Sequence, residues 1–453
     1  MRLLYGILAA SAALGMMLFL CGFGGPITHT VNVEVIATAA PSFDATAGSR
    51  GEERFARGAH LLLIKDGHAA PLVEGFAASA DADVSFDGKR VLFAGKKNAG
   101  DPWGIWEMTL EGGPVRAVIG GEADVVRPLY LPGERLVYAR RTAHGFQLEA
   151  AQLDGSDALP LSYVPASALP LYVLADGRIL FESTFPLGSG KTPEMYLVYS
   201  DGSGVESYRC DHGAARWGGR QLQSGDVVFT HEDALARFTS PLATEASVAA
   251  PRAAYAGGVV ETPSGAWLVS ARSGEEAHDA LKLWKPGAAA LQAWFAQPDV
   301  NVVDAVLVKE RARPKRHPSA LHDWDSANLL ALDARESREG DLKATPAAVR
   351  LETLDANGHA IAMGRAPVEP DGSFFVKAPA DRPIRFALLD KEGAVLREEH
   401  GWFWMRKGEQ RICVGCHTGP ERAAENRVPQ VLLHTTTPVD LTGAAKQPVA
   451  GSR

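Results

Sequence analysis

The sequence predicts a mainly β chain: a six-bladed β-propeller, then a small antiparallel β-domain, then a short C-terminal segment of different character. Three observations predict it. Glycine turns recur at near-constant spacing from about residue 52 to 300. Short β-branched and aromatic runs lie between them, with no helical periodicity. After residue 300 the repeat stops, and the strand and turn signals change pattern.

Composition bounds the rest. The chain has 453 residues, 46% hydrophobic and 22% charged, which is ordinary globular composition and excludes disorder over most of its length. A formal charge of -8 argues against nucleic acid as the main partner, because phosphate binding needs a basic face. Four cysteines, Cys21, Cys210, Cys413 and Cys416, cannot build a disulfide scaffold in a chain this long.

Arg2 is followed by an apolar run from Leu3 to Phe23. One positive charge before a long apolar segment is the pattern of a secretory signal or a membrane anchor, and residues 1–23 are read as one or the other. Cys21 sits where a lipoprotein cysteine would, although Leu20 is bulkier than the small residue usual before it. All three readings put the body outside the cytoplasm, in the periplasm or another extracytoplasmic space, with membrane association through residues 3–23 in two of them. Residues 24–51 are rich in Thr, Ala, Gly and Ser and read as a flexible spacer.

Residues 52–300 carry two interleaved glycine series. Gly88, Gly133, Gly177, Gly225 and Gly265 each precede a strand run such as Val91-Leu92-Phe93 or Ile179-Leu180-Phe181, at steps of 45, 44, 48 and 40. Gly67, Gly112, Gly155, Gly202 and Gly287 form the second, at steps of 45, 43, 47 and 85, the last spanning two units. Strand repeats of this length are propeller blades, six by count, and two offset turns per period favour blades over tandem hairpins in a sandwich. The glycines themselves read as turn-formers, and the blades show no catalytic motif.

Residues 301–400 open with a basic stretch, Lys309 to His317, read as a solvated linker. A buried strand follows at Leu329–Arg335 and further strands at Val349–Leu354, Ser373–Val376 and Arg382–Asp390, separated by the turn signals Asp355-Ala356-Asn357-Gly358 and Glu369-Pro370-Asp371-Gly372. This is a small antiparallel β-domain.

Residues 401–445 hold the chemistry, ahead of a tail at 446–453. Cys413-Val414-Gly415-Cys416-His417 is C-x-x-C-H, the attachment motif of a c-type haem. Two thiols three residues apart reach the two vinyl-derived carbons of one porphyrin edge, and the next residue, His417, then falls under the ring as an axial iron ligand. Zinc would want two further ligands at compatible spacing, and a redox C-x-x-C would want a βαβ surround. One motif predicts one covalent haem c, bound by Cys413 and Cys416. Met405, His434 and His400 are the candidates for the sixth iron position, and an open site is the alternative. Trp402-Phe403-Trp404 is expected to shield one haem face. Cys210 and His212 offer two ligands but no third, so Cys210 reads as packing.

A propeller, a small β-domain and C-x-x-C-H directly after it resemble the hydrazine synthase α-subunit family. The resemblance covers about 301–420: His317-Pro318-Ser319, Leu329 to Ser337, Val368 to Phe374, Pro379 to Ile384 and Gly408 to His417. It implies the family's middle, haem-bearing domain. Two departures keep the activity from being carried over. The synthase is similar to a two-haem chain, whereas 36 residues follow His417 here; and the family's Tyr shortly after the haem histidine is replaced by Thr418-Gly419-Pro420-Glu421. The expectation is an exported monohaem c-type cytochrome that passes electrons to a redox protein partner, with the propeller as docking surface. A haem oxidoreductase with open iron, acting on a small nitrogen or oxygen compound, is the alternative; a propeller binding module with structural haem is the third reading.

Overall fold

The structure is a computed structural model and describes residues 33–184, 192–208, 215–240, 243–337, 340–355, 357–399, 401–414 and 427–443. The N-terminal apolar run, Cys21, Cys210, His212, His400, Cys416 and His417 lie outside the described residues.

Six four-layered antiparallel sheets form the propeller. Blades two to five take their strands in chain order from Ala78 to Ser247, and in blade six two short strands, Ala254–Tyr255 and Val260–Glu261, share the innermost place. The first blade is composite. Its innermost strand is Asn301–Leu307 and its next is Val35–Ala40, paired antiparallel so that Val35 faces Leu307 and Ala40 faces Asn301. The two ends of the repeat therefore close the ring by sharing one sheet.

This closure moves two expected boundaries. Residues 33–51, read from composition as spacer, supply a strand in which all six residues are buried. The propeller also runs on to Leu307 rather than ending at 300. Small Ala and Thr side chains look like linker in isolation, but a strand wedged between two others and two neighbouring blades needs small residues.

The two glycine series are the two turns on one face of each blade. Gly88, Gly133, Gly177, Gly225 and Gly265 join the innermost strand to the second, and Gly67, Gly112, Gly155, Gly202 and Gly287 join the third to the fourth; all have positive φ. The second strands carry a buried aromatic at matching positions: Phe93, Tyr138, Phe181 and Phe229 are each fully buried. Each contributes roughly 1.5–3 kcal/mol by leaving water, and together they set the distance between blades.

From Leu307 the chain runs along the propeller, touching it at intervals while Arg313, Lys315 and Arg316 stay exposed. The basic stretch is a strap across the propeller face. Arg311 donates to both carboxylate oxygens of Asp83 at 2.9 and 2.8 Å and lies over Phe86. The Lys315 N–H donates to the Ala175 carbonyl at 3.1 Å, and His317 stacks on Tyr199 at 3.8 Å. The solvated reading holds for Arg313, Lys315 and Arg316, which are exposed, while Arg311 and His317 are docked on the propeller.

The β-domain is two packed sheets. We number its elements β1 (Ser326–Ala331), β2 (Ala348–Leu354), β3 (Ala360–Pro367), β4 (Phe374–Pro379), β5 (Ile384–Leu389), β6 (Val395–Glu398), β7 (Gln410–Cys413), α1 (Gln430–His434) and β8 (Val439–Asp440). One sheet, β3-β2-β5-β6, is antiparallel throughout. The other is β7-β1-β4-β8, and both of its outer strands run parallel to their neighbours. Those outer strands come from the segment read as a separate haem unit at 401–445. They are part of the domain, and its purely antiparallel reading is corrected on that side. The core between the sheets holds Leu329, Val349, Leu351, Phe374, Phe386 and Met405.

Candidate haem-attachment site

Cys413 is the last residue of β7, opposite Ala331 of β1. Its carbonyl accepts a 2.8 Å hydrogen bond from the Leu332 N–H, so the backbone is held to the end of the strand. The side chain is half-buried against the β-domain core. Burial pushes the thiol above its ordinary pKa, with the Arg411 charge opposing. Alternation along β7 turns Arg411 and Cys413 to one face and Ile412 to the other. Arg411 reaches the propeller, donating to the Val205 carbonyl. Ile412 is 66% exposed.

The chain is described again from Arg427, and there it is tied down by a turn. In Glu369-Pro370-Asp371-Gly372-Ser373, Asp371 Oδ1 accepts from Ser373 Oγ at 2.6 Å and from the Ser373 N–H at 2.9 Å. Its Oδ2 accepts from the Gln430 N–H at 2.8 Å and from the Arg427 guanidinium. Ser373 Oγ accepts from the Val431 N–H at 3.1 Å. Burial would raise the Asp371 pKa, but these hydrogen bonds outweigh it and hold the carboxyl at about 2. Cys413 at the end of β7 and the Asp371 turn ahead of β4 thus belong to the same sheet. Sequence reasoning read Asp371 only as a turn former and passed over Arg427 and Ser373. The missed signal was an Asp-Gly-Ser turn with an arginine shortly after the haem motif, and nothing local links the two.

Met405 and His434, the candidate ligands among the described residues, stand in different surroundings. Met405 is fully buried in the β-domain core, in the cluster that Cys413 borders. His434 stands exposed at the end of α1, and its Nδ1 lies 3.0 Å from Glu369 Oε1. The aromatic cluster has a different task from the one expected. Trp404 is 0% exposed, donates its indole N–H to the Gly202 carbonyl at 2.9 Å, and packs with Trp402 among blade residues such as Leu161 and Phe181. Trp402 and Trp404 bolt the β-domain to blades three and four; Phe403 packs on Phe386. Trp402 and Trp404 face the propeller, whereas Phe403 packs in the β-domain cluster that Cys413 borders.

Among the described residues no group of three or more His, Cys, Asp and Glu is placed to hold a metal ion, and no helix is long and apolar enough to cross a membrane. Among the described residues seven large apolar side chains stand exposed, and four of them lie on either side of 415–426 in the chain: Ile412, Val414, Val428 and Leu433, at 66, 43, 62 and 67%. Apolar side chains concentrated on both flanks of one segment mark a surface that something apolar covers.

Comparison with known proteins places this arrangement. Residues 333–418 match the family model of the hydrazine synthase alpha subunit middle domain. No curated protein matches the chain in sequence. Among solved structures, hydrazine synthase from Kuenenia stuttgartiensis superposes with a TM-score of 0.76 at 16% identity, over 89% of this chain and 71% of that one. TolB from Acinetobacter baumannii gives 0.47 at 12% identity, over 62% of this chain and 67% of that one. Residues 333–418 thus carry the match to the hydrazine synthase alpha subunit middle domain, and the chain as a whole shares the fold of hydrazine synthase.

Proposed function

We propose that this protein is an exported c-type cytochrome that carries one covalent haem and transfers electrons. Cys413 and Cys416 would hold the haem through thioethers, and His417 would be the first axial ligand. The bound group supplies one-electron chemistry at iron; the protein tunes it through ligation and burial. One observation carries the reading. Cys413 is fixed at a strand end, and the side chains flanking the segment it opens are apolar and exposed. A porphyrin needs a rigid attachment point and apolar cover, so the described residues fit it. His434 is one candidate for the sixth position. A carboxylate on Nδ1, as Glu369 provides, is the usual support of a histidine whose Nε2 meets a metal. Met405 is the other. The propeller would offer the docking surface for a redox protein partner, and residues 3–23 would direct export or tether the chain.

A second reading, a haem oxidoreductase with an open iron position acting on a small nitrogen or oxygen compound, is favoured by the commitment of Met405 to the core. Spectra of protein made in a cytochrome c maturation host separate the two. A low-spin spectrum indifferent to carbon monoxide, altered by His434→Ala or Met405→Leu, supports the carrier. A high-spin spectrum that shifts with carbon monoxide supports the oxidoreductase. Denatured protein that retains no haem, or C413A protein that retains as much as wild type, overturns both.

A further inference from the structure

The strap after Leu307 roofs a large space. The innermost strands of the six blades end on this face, and all six line one cavity of about 540 Å³ beneath the strap. Ala82, Leu129, Leu171, Arg220, Val260 and Val306 come one from each blade. Protein interiors pack closely, so a space of this size is not a packing defect. It lies in the range of sites that take one small organic molecule, roughly 300–1,000 Å³.

The roof is fixed and two-sided. The Arg311 N–H donates to the Phe86 carbonyl at 2.9 Å, and its guanidinium holds Asp83. A Cβ at Gly88 or Gly177 would meet strap backbone at 2.8 or 2.0 Å, so the strap lies directly on the turns of blades two and four. Ala312 and Pro314 line the cavity, whereas Arg313, Lys315 and Arg316 are exposed and take no part in its lining.

The wall is mostly aliphatic, and most of its polar groups are spoken for. Asp83 and Arg311 pair with each other. Gln221 accepts from the Ala175 N–H and donates to the Gly225 carbonyl. Lys309, Glu310 and Glu261 are partly or fully exposed to solvent. Two donors remain, on neighbouring inner strands. Arg220 also lines the small chamber deeper in the channel, which places it at the cavity floor. It donates to the Ala305 carbonyl at 3.0 Å, which uses one of its five N–H groups. Tyr172 packs on the core of blades four and five, and among the described residues its hydroxyl donates to no protein group. Asp304 lines the chamber beside Arg220 and supplies its counter-charge, so an uncharged acceptor suits this floor better than an anion. Water can meet the two donors, but it gains nothing from the aliphatic wall.

We propose that the space under the strap binds one uncharged organic molecule with a compact apolar body and a carbonyl oxygen. The body lies against the inner strands, Ala312 and Pro314, and the oxygen accepts from Arg220 and Tyr172. Nothing here depends on the haem.

The probe is prodan, an uncharged naphthalene ketone, compared with its analogue lacking the ketone. Binding to the full chain is measured by equilibrium dialysis for wild type, Val260→Trp and Tyr172→Phe, and wild-type crystals are soaked in prodan. Val260→Trp puts an indole into the space from a half-exposed position; Tyr172→Phe removes only the hydroxyl. Expected are one saturable site per chain, weakened at least about tenfold in Val260→Trp and about 2- to 10-fold in Tyr172→Phe, and prodan density under the strap. The analogue should bind wild type more weakly than prodan does. Absence of saturable binding, equal affinity in wild type and either variant, or density only outside the cavity overturns the assignment. Should Val260→Trp fail to fold, Gln223→Trp, at an exposed lining position, takes its place, and the wild-type soak decides if neither folds.

Discussion

Asp371→Asn tests whether the return end of the 415–426 segment is held by charge. The Asp371 carboxyl is lowered from 3.8 to about 2. At about 1.36 kcal/mol per pH unit this is at most about 2.5 kcal/mol of stability. The side chain is only 7% exposed, yet it sits at the domain rim with few atoms around it. Solvent screening reduces the figure to about 1–2 kcal/mol. The sign follows from a depressed folded pKa. The contribution is complete above the ordinary value near 3.8 and is lost as pH falls towards 2, with about half gone at pH 3. The assay is hydrogen exchange of the Gln430 and Val431 amides, which bond to Asp371 Oδ2 and Ser373 Oγ. D371N should speed their exchange about 5- to 30-fold at pH 7, and the ratio to wild type should shrink at pH 3. Equal exchange at pH 7 would refute the reasoning, and so would a ratio that does not change on acidification.

Three further outcomes are expected. Trp404→Ala removes the largest fully buried side chain at the junction of the two domains; a loss of about 3–5 kcal/mol is expected, seen as a lower denaturation midpoint and earlier proteolytic separation of the β-domain. Arg54→Ala leaves Asp81 and Asp304 without their shared partner and should cost about 3–5 kcal/mol; a Tm within a degree of wild type would contradict it. Gly177→Ala puts a side chain at φ 90° and a Cβ onto the Lys315 carbonyl oxygen; it should release the strap and speed tryptic cleavage at Lys315 and Arg316, with the blades intact.

Much of the fold was legible because propeller turns are local. A residue at positive φ between two strands calls for glycine whatever surrounds it, so Gly88 to Gly265 and Gly67 to Gly287 reported the blades directly. The runs around Phe93 and Phe181 reported strands buried on both faces for the same reason. The C-x-x-C-H pattern was legible because it is a matter of spacing alone.

What the sequence by itself determined is therefore the repeat, the blade count, the β-domain strands and the position of Cys413. Only the tertiary structure decided how they join. Val35–Ala40 looks like spacer until Asn301–Leu307 lies beside it. Arg311 looks solvated until Asp83 is opposite. Trp404 looks like haem cover until the Gly202 carbonyl meets its indole, and Asp371 looks like a plain turn until Arg427 returns to it. In each case the partner lies tens to hundreds of residues away. Short-range propensity carries no information about such pairs; they are selected when the whole chain minimises exposed edges, unpaired charge and uncovered apolar surface at once.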